Sequence, residues 1–398
     1  MSGLRCGTAY HNTKRRNMDL TIVGDVVVSG WPRRPVAEAA RPGDSAFGLL
    51  RGGDLTIGNL EVPLTESGAR AEKLVAMRAP ASGAAELAAF GFDLVSLAMN
   101  HALDYGAEGM RDTVRALDAA GVQHAGFGET LAEATRPRVV SVGAKTLAFF
   151  SFCSALPLGF NATADRAGIA PIRVRQSFEF DSTFLDETPG TPPFVHSSAH
   201  EPDVRAAEAR IREAKAHNDF VVVALHWGVP FCYVPATQGP LARYQQPLGR
   251  RLISAGADLV IGHHPHCVHP VEFYEHGLIL YSTGNFVFDW CDGWHPESMV
   301  AREDGRPAAP YRAALLTGRW YESAVFHVRL GGADGPALRL DPIELDADSQ
   351  PIMARPEVAA SILARLEEAS RELDPSIVVD ADGRVRRTSE KNNVLEEA

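Results

Sequence analysis

Cysteine is scarce in this chain: five in 398 residues, none in C-x-x-C spacing. That excludes a disulfide-built scaffold and a thiolate zinc site, so Cys6, Cys153, Cys232, Cys267 and Cys291 read as reduced thiols. No apolar run approaches the ~20 residues that span a bilayer. The polar stretch 1–17 lacks the apolar core of a signal peptide. A cytoplasmic protein with no membrane span is the expectation. Basic charge is also short, with a formal net charge of -11. A general nucleic-acid surface is therefore excluded, because only Lys14-Arg15-Arg16 forms a basic run. There is no internal repeat. What is present, 45% hydrophobic and 22% charged residues, is the composition of a globular chain long enough for a large core.

Apolar strand patterns, such as 20–23, 94–97, 221–225 and 259–261, alternate with helical ones. Residues 203–217 carry Val204, Ala207, Ile211 and Ala214 on one face, and residues 240–256 carry Leu241, Tyr244, Leu248 and Leu252 before a glycine stop. The class is α/β. Two segments interrupt the pattern, 157–202 and 290–320, and read as long loops or excursions near the strand ends. Trp290, Trp294 and Trp320 are candidates to cap a pocket or to pack an excursion onto the body. Residues 356–373 read as a helix, and those after Asp374 as a tail or short strands. The expected organisation is a polar tail at 1–18, one domain at 19–345 with the two excursions, and a carboxy-terminal helix and tail at 346–398.

Polar clusters stand just beyond the apolar runs. They are Gly24-Asp25, Asn59-Leu60-Glu61, Asn100-His101, His226-Trp227-Gly228 and Gly262-His263-His264-Pro265-His266. A sheet would deliver all of them to one edge, where open α/β sheets place their sites. Carboxylate, amide oxygen and imidazole donors together suit Mn, Fe, Zn or Co as divalent ions. Two such ions ~3.5–4 Å apart activate a water and polarise the bond under attack, so a metal-dependent hydrolase is the leading reading. Each cluster alone has a plainer reading. Asn100 could cap the helix that follows, Asp25 could end a strand, Glu61 could be a solvated carboxylate, and His-Pro-His could be a surface turn. Their joint occurrence in order favours a binuclear metal centre.

In that order the chain resembles the CapA-type (poly-γ-glutamate capsule biosynthesis) proteins, a branch of the calcineurin-like metallophosphoesterase superfamily. The likeness runs through Gly24-Asp25, Asn59-Leu60-Glu61-Val62-Pro63-Leu64-Thr65 and Ala98-Met99-Asn100-His101-Ala102-Leu103-Asp104-Tyr105-Gly106. It continues through His226-Trp227-Gly228 and the run from Ala255 to His266, and ends at Tyr281-Ser282-Thr283-Gly284-Asn285-Phe286-Val287-Phe288-Asp289. The resemblance implies a sandwich of two mixed β-sheets flanked by helices. It implies two divalent metal ions on Asp25, Glu61, Asn100, His226, His264 and His266, with Glu61 bridging and His101 as general acid. The wider superfamily has a metal-binding histidine two positions after the first aspartate, whereas this chain has Val27. The Asp25 side is therefore expected to be the weaker one.

Three functions follow as alternatives: hydrolysis of a phosphate ester, cleavage or transfer of a γ-glutamyl or peptide amide, and a non-catalytic accessory role in polymer biosynthesis. Lys73 and Arg78 are candidates to hold a substrate phosphate or carboxylate. Phe231 and Tyr233 are candidate pocket walls beside Pro230, where many relatives carry a glutamate. The remaining histidines, including His196, His200 and His269, read as exposed. Oligomeric state is not legible.

Overall fold

The computed structural model describes residues 17–28, 46–73, 75–188, 191, 193–228, 241–288, 318–346 and 349–388. Two mixed sheets dominate, one of ten strands and one of six. In the larger, Met18–Val27 lies parallel to Leu55–Leu60 and Asn285–Phe288 and antiparallel to Glu322–Leu330, and Leu94–Ser96 and Gln123–Ala125 extend it to one edge. In the smaller, Lys145–Cys153, Phe220–His226, Leu259–His263 and Gly277–Leu280 run parallel, with antiparallel strands Val271–Tyr274 and Arg138–Val142 at its edges.

The period-2 alternation of strand side chains explains the layering. Leu20, Ile22 and Ile57 of one sheet meet Phe149, Val222 and Ile261 of the other in a shared core. The alternate residues point outward. Val23 and Val95 pack with Leu87 and Met110 of the helices Gly83–Phe90 and Gly106–Ala120. Phe150, Val223 and Val260 pack with Ile211 and Leu252 of the helices Glu201–His217 and Gln245–Ser254. Both faces of both sheets are thereby covered, which is why these strands read as continuous apolar runs. Full burial of each large aliphatic side chain contributes about 1.5–3 kcal/mol.

The expected class, α/β with mixed sheets flanked by helices, is the one observed. Details differ. The helix expected over 240–256 runs Gln245–Ser254, and the one expected from Asp203 begins at Glu201 with Pro202 in its first turn. The stretch 157–202, expected as loop, contains an antiparallel hairpin of Val174–Glu179 and Phe194–Ala199. Its residues are mostly exposed or half-buried, so no buried apolar alternation marked it. Past the helix Pro356–Arg371, the strands Ile377–Val379 and Arg384–Arg387 join the larger sheet through Leu338 and Arg339. His269 is buried, against the exposed reading. Of the 290–320 segment, Trp320 lies in the described residues, buried against the rings of His266 and Phe288. No helix of the described residues is long and apolar enough to cross a membrane.

Candidate metal centre

Parallel strands share a direction, so their carboxyl ends share an edge. Register places Asp25 opposite both Asn59 and Asn285 in the larger sheet, and His226 opposite His263 in the smaller. The strand carrying Asp25 shifts register on both sides of that residue, which re-aims it at the mouth between the sheets. Two glycines permit the close approach. A Cβ on Gly24 would lie 1.9 Å from the Gly284 carbonyl oxygen, and one on Gly262 would lie 2.1 Å from that of Tyr281. Only a residue without a side chain fits either place.

At this mouth the expected residues come together. Asp25, Glu61 and His266 form one group whose donor atoms lie within 4.8 Å of one another, and Glu61, His226 and His264 form a second. Glu61 belongs to both. His226 Nε2 is 3.5 Å from Glu61 Oε1 and 3.1 Å from Asn100 Oδ1, and the Nε2 of His266 is 3.7 Å from Glu61 Oε1. Asp25 Oδ2 lies 3.3 Å from His266 Nδ1. The donors divide between the sheets: Asp25 lies within a strand of the larger and Glu61 and Asn100 follow its strands, while His226, His264 and His266 end or follow strands of the smaller. His264 and His266 hold φ of 96° and 56°, a left-handed backbone that costs about 1–3 kcal/mol at a non-glycine residue.

Both carboxylate oxygens of Glu61 are buried and have no hydrogen-bond partner among the described residues. A buried charged group left so is costly unless a cation satisfies it. The donor set therefore fits divalent metal binding. The two carboxylates differ. Burial pushes Glu61 well above the usual carboxylate range, and the neighbouring charge of Asp25 pushes the same way. Burial would also raise Asp25, but hydrogen bonds and charge from His263 and His266 outweigh it and hold Asp25 well below that range. Burial lowers His226 well below the ordinary imidazole value and pushes His264 down to about 3. Neutral imidazoles at neutral pH keep a lone pair for a metal.

Around these groups sit residues that carry no role in the sequence reading. Asn59 Nδ2 donates to Asp25 Oδ1 at 2.9 Å, and His263 Nδ1 is 3.4 Å from the same oxygen. Asn285 Oδ1 is 2.9 Å from His266 Nδ1, while its amide donates to the Trp320 carbonyl at 3.0 Å. The amide is thus the donor end, and Oδ1 accepts the Nδ1 proton of His266, which leaves Nε2 as the free donor atom. All three lie inside motif stretches visible in the sequence, but only tertiary contact reveals what they touch.

His101 stands beside the mouth in its own network. Its Nδ1 is 2.7 Å from Asp104 Oδ2, and fully buried Asp104 also accepts from Lys73 Nζ at 2.6 Å and from the Met77 backbone at 2.7 Å. Lys73 Nζ donates to the Asn100 carbonyl at 2.9 Å and lies 3.3 Å from His101 Nδ1. Its ammonium thus braces the turn carrying Asn100 and His101. Burial lowers the His101 pKa, with Asp104 opposing. Arg78 stacks over the Tyr105 ring at 4.7 Å. Asn100 does not cap the following helix, which starts at Gly106 behind Tyr105. Phe231 and Tyr233, with Pro230 and Cys232, lie outside the described residues, as do Cys6, Cys291, Trp290 and Trp294. Cys153 and Cys267 are buried free thiols.

The profile described as "Bacterial capsule synthesis protein PGA_cap" matches residues 19–290, and the chain belongs to that family. An "Uncharacterized protein y4sH" of Sinorhizobium fredii is 30% identical over 91% of each chain. The "PGA biosynthesis protein CapA" of Bacillus subtilis is 28% identical over 70% of this chain and 64% of its own. A "Probable polyglutamine synthesis accessory protein" of Mycobacterium tuberculosis is 31% identical over 60% of this chain and 56% of its own. The family match covers the strands and loops that build the mouth.

Proposed function

We propose that the chain is a metal-dependent hydrolase with a binuclear centre, acting on a phosphate ester. The observation that carries this reading is the pair of donor groups sharing Glu61, whose buried oxygens have no hydrogen-bond partner among the described residues. Asp25, Glu61 and His266 would hold one ion, and Glu61, Asn100, His226 and His264 the other, with manganese, iron, zinc and cobalt all compatible with the donors. Bound ions supply Lewis acidity toward the substrate oxygen and make water a stronger acid.

The chain's own groups do the rest. Asp104 fixes the His101 ring by Nδ1, so Nε2 is the atom that passes a proton to the leaving group. An anionic substrate beside the ring raises the imidazole pKa against the lowering by burial, so the proton is held best when substrate is present. Lys73 keeps Asn100 and His101 in one fixed turn, and Arg78 remains a candidate anion holder at its rim. Residues 19–345 form the catalytic body on this reading, with 1–18 and 346–398 as its flanks.

A second reading keeps the centre and changes the bond to a γ-glutamyl or peptide amide. The name of the Bacillus subtilis relative, a PGA biosynthesis protein, favours it. The Mycobacterium tuberculosis relative, named an accessory protein, favours a third reading without turnover. The deciding assay sets manganese-loaded protein against phosphomonoesters, phosphodiesters, γ-glutamyl amides and ordinary peptides. Phosphoester turnover abolished by Asp25→Ala supports the first reading. Turnover of amides alone overturns it in favour of the second, and metal binding without turnover favours the third.

A further inference from the structure

We infer that the protein has a second ligand site, separate from the metal centre, for a small anion bearing two or more carboxylate or phosphate groups. It lies where the edge strands of the two sheets, Gln123–Ala125 and Arg138–Val142, meet beside the helix Gly106–Ala120. A cavity of about 500 Å³ opens there, and no residue lining it belongs to the metal centre.

Four arginines line this cavity in a chain whose formal net charge is -11. Arg111 and Arg115, one helical turn apart, share a helix face, and Arg136 and Arg138 stand on either side of Pro137 across from them. The acidic lining residues are Glu129 and Glu133. Glu129 neutralises Arg111 through a bidentate pair with both contacts at 2.7 Å, and Arg115 pairs with Asp112. Glu133 is turned to the Glu129 backbone N–H, which donates to its Oε2 at 2.9 Å. Arg136 and Arg138 are left without a carboxylate partner among the described residues, the Arg138 Nε donating at 2.5 Å to the neutral amide of Gln123.

Two guanidinium groups concentrated in a concave wall repel one another, and a multivalent anion relieves that repulsion. The planar fork of each presents paired N–H donors that match a carboxylate or a phosphate bidentately. Apolar lining from Val114 and Phe127 leaves room for a short carbon skeleton between the anionic ends. A ligand with a single charge would engage one fork and leave the other unpaired, so the site selects for at least two anionic groups.

The test is isothermal titration of the metal-stripped full chain with inorganic pyrophosphate and, separately, with a triglutamate peptide. Removing metal keeps anions from reporting on the other centre. We expect binding of at least one probe that is weakened tenfold or more in an Arg136→Ala/Arg138→Ala variant and unchanged in Asp25→Ala. Pyrophosphate binding alone identifies a phosphate ligand, and triglutamate binding identifies a polycarboxylate. Binding of neither probe overturns the proposal. So does binding equally weakened by Arg205→Ala/Arg210→Ala on the helix Glu201–His217, neither of which lines the cavity, since that would reduce it to general charge. Arg136 and Arg138 are exposed, and a circular-dichroism melt checks that their variant folds.

Discussion

The two sides of the candidate metal centre are built differently although they share Glu61. The side holding His226 and His264 has two imidazoles kept neutral, one buried and one half-buried, and the Asn100 amide oxygen 3.1 Å from His226. The Asp25 side has one imidazole, His266, and Val27, two positions after Asp25, packs in the apolar core and offers no donor. It compensates with a tighter set of supports: Asn59 and His263 on Asp25 Oδ1, and Asn285 on His266. One side would draw affinity from a second imidazole nitrogen, while the other would rely on donors held still. Metal should leave the second first.

The largest break in this comparison is Glu61→Ala. It removes the group common to both sides, so metal content by elemental analysis should fall on both and turnover should vanish; retention of two ions would contradict the shared role. Next is His101→Ala, expected to lower turnover about 10²–10⁴-fold for a poor leaving group and less for an activated one. Metal content should stay unchanged, and its loss would mean that His101 serves the centre itself. Smaller, and confined to one side, is Asn285→Ala. Removing the partner of an imidazole ligand costs about 10–100-fold in metal affinity. Competition titration should show the loss in the weaker ion alone, and an equal loss in both would erase the asymmetry.

The smallest effect is with pH. The Glu61 carboxyl pKa is raised by burial and by the charge of Asp25, so it keeps its proton to higher pH than an ordinary carboxyl, and that proton must leave before an ion binds. Affinity should therefore rise with pH by at most about tenfold per unit while one proton is displaced, and fall as acid restores that proton. The sign for stability is the reverse. A carboxyl raised in the fold stabilises the metal-free protein at low pH, and that contribution is lost as pH rises through the folded value. The melting temperature gained on adding manganese should consequently grow as pH rises through the raised Glu61 value. A gain independent of pH would argue that Glu61 enters the fold already ionised.

The sequence made the strands and the motif residues legible because a doubly covered strand is apolar throughout and its first polar residue marks the edge. It did not show where extension stops. Met18–Val27 runs through Gly24 and Asp25 to Val27, since the valines beyond the aspartate pack on the helices. Supports such as Asn59 and Asn285 escaped assignment because an asparagine at a strand end also suits a turn, and only the partner strand tells the two apart. The hairpin Val174–Glu179 and Phe194–Ala199 escaped because its Phe178, Phe180 and Phe194 stay exposed, so burial imposes no pattern on it. Lys73 was readable as a cation near the site, but not as one whose donors face Asp104 and the Asn100 carbonyl.

The left-handed backbone at His264 and His266 sets a limit on how the centre can be copied. A free peptide of the same six or seven residues would relax both positions into ordinary conformations, and its imidazoles would part company. Affinity for metal is thus stored in the surrounding sheets and not in the tripeptide, so transplanting His-Pro-His into another loop should carry over the donors without their geometry.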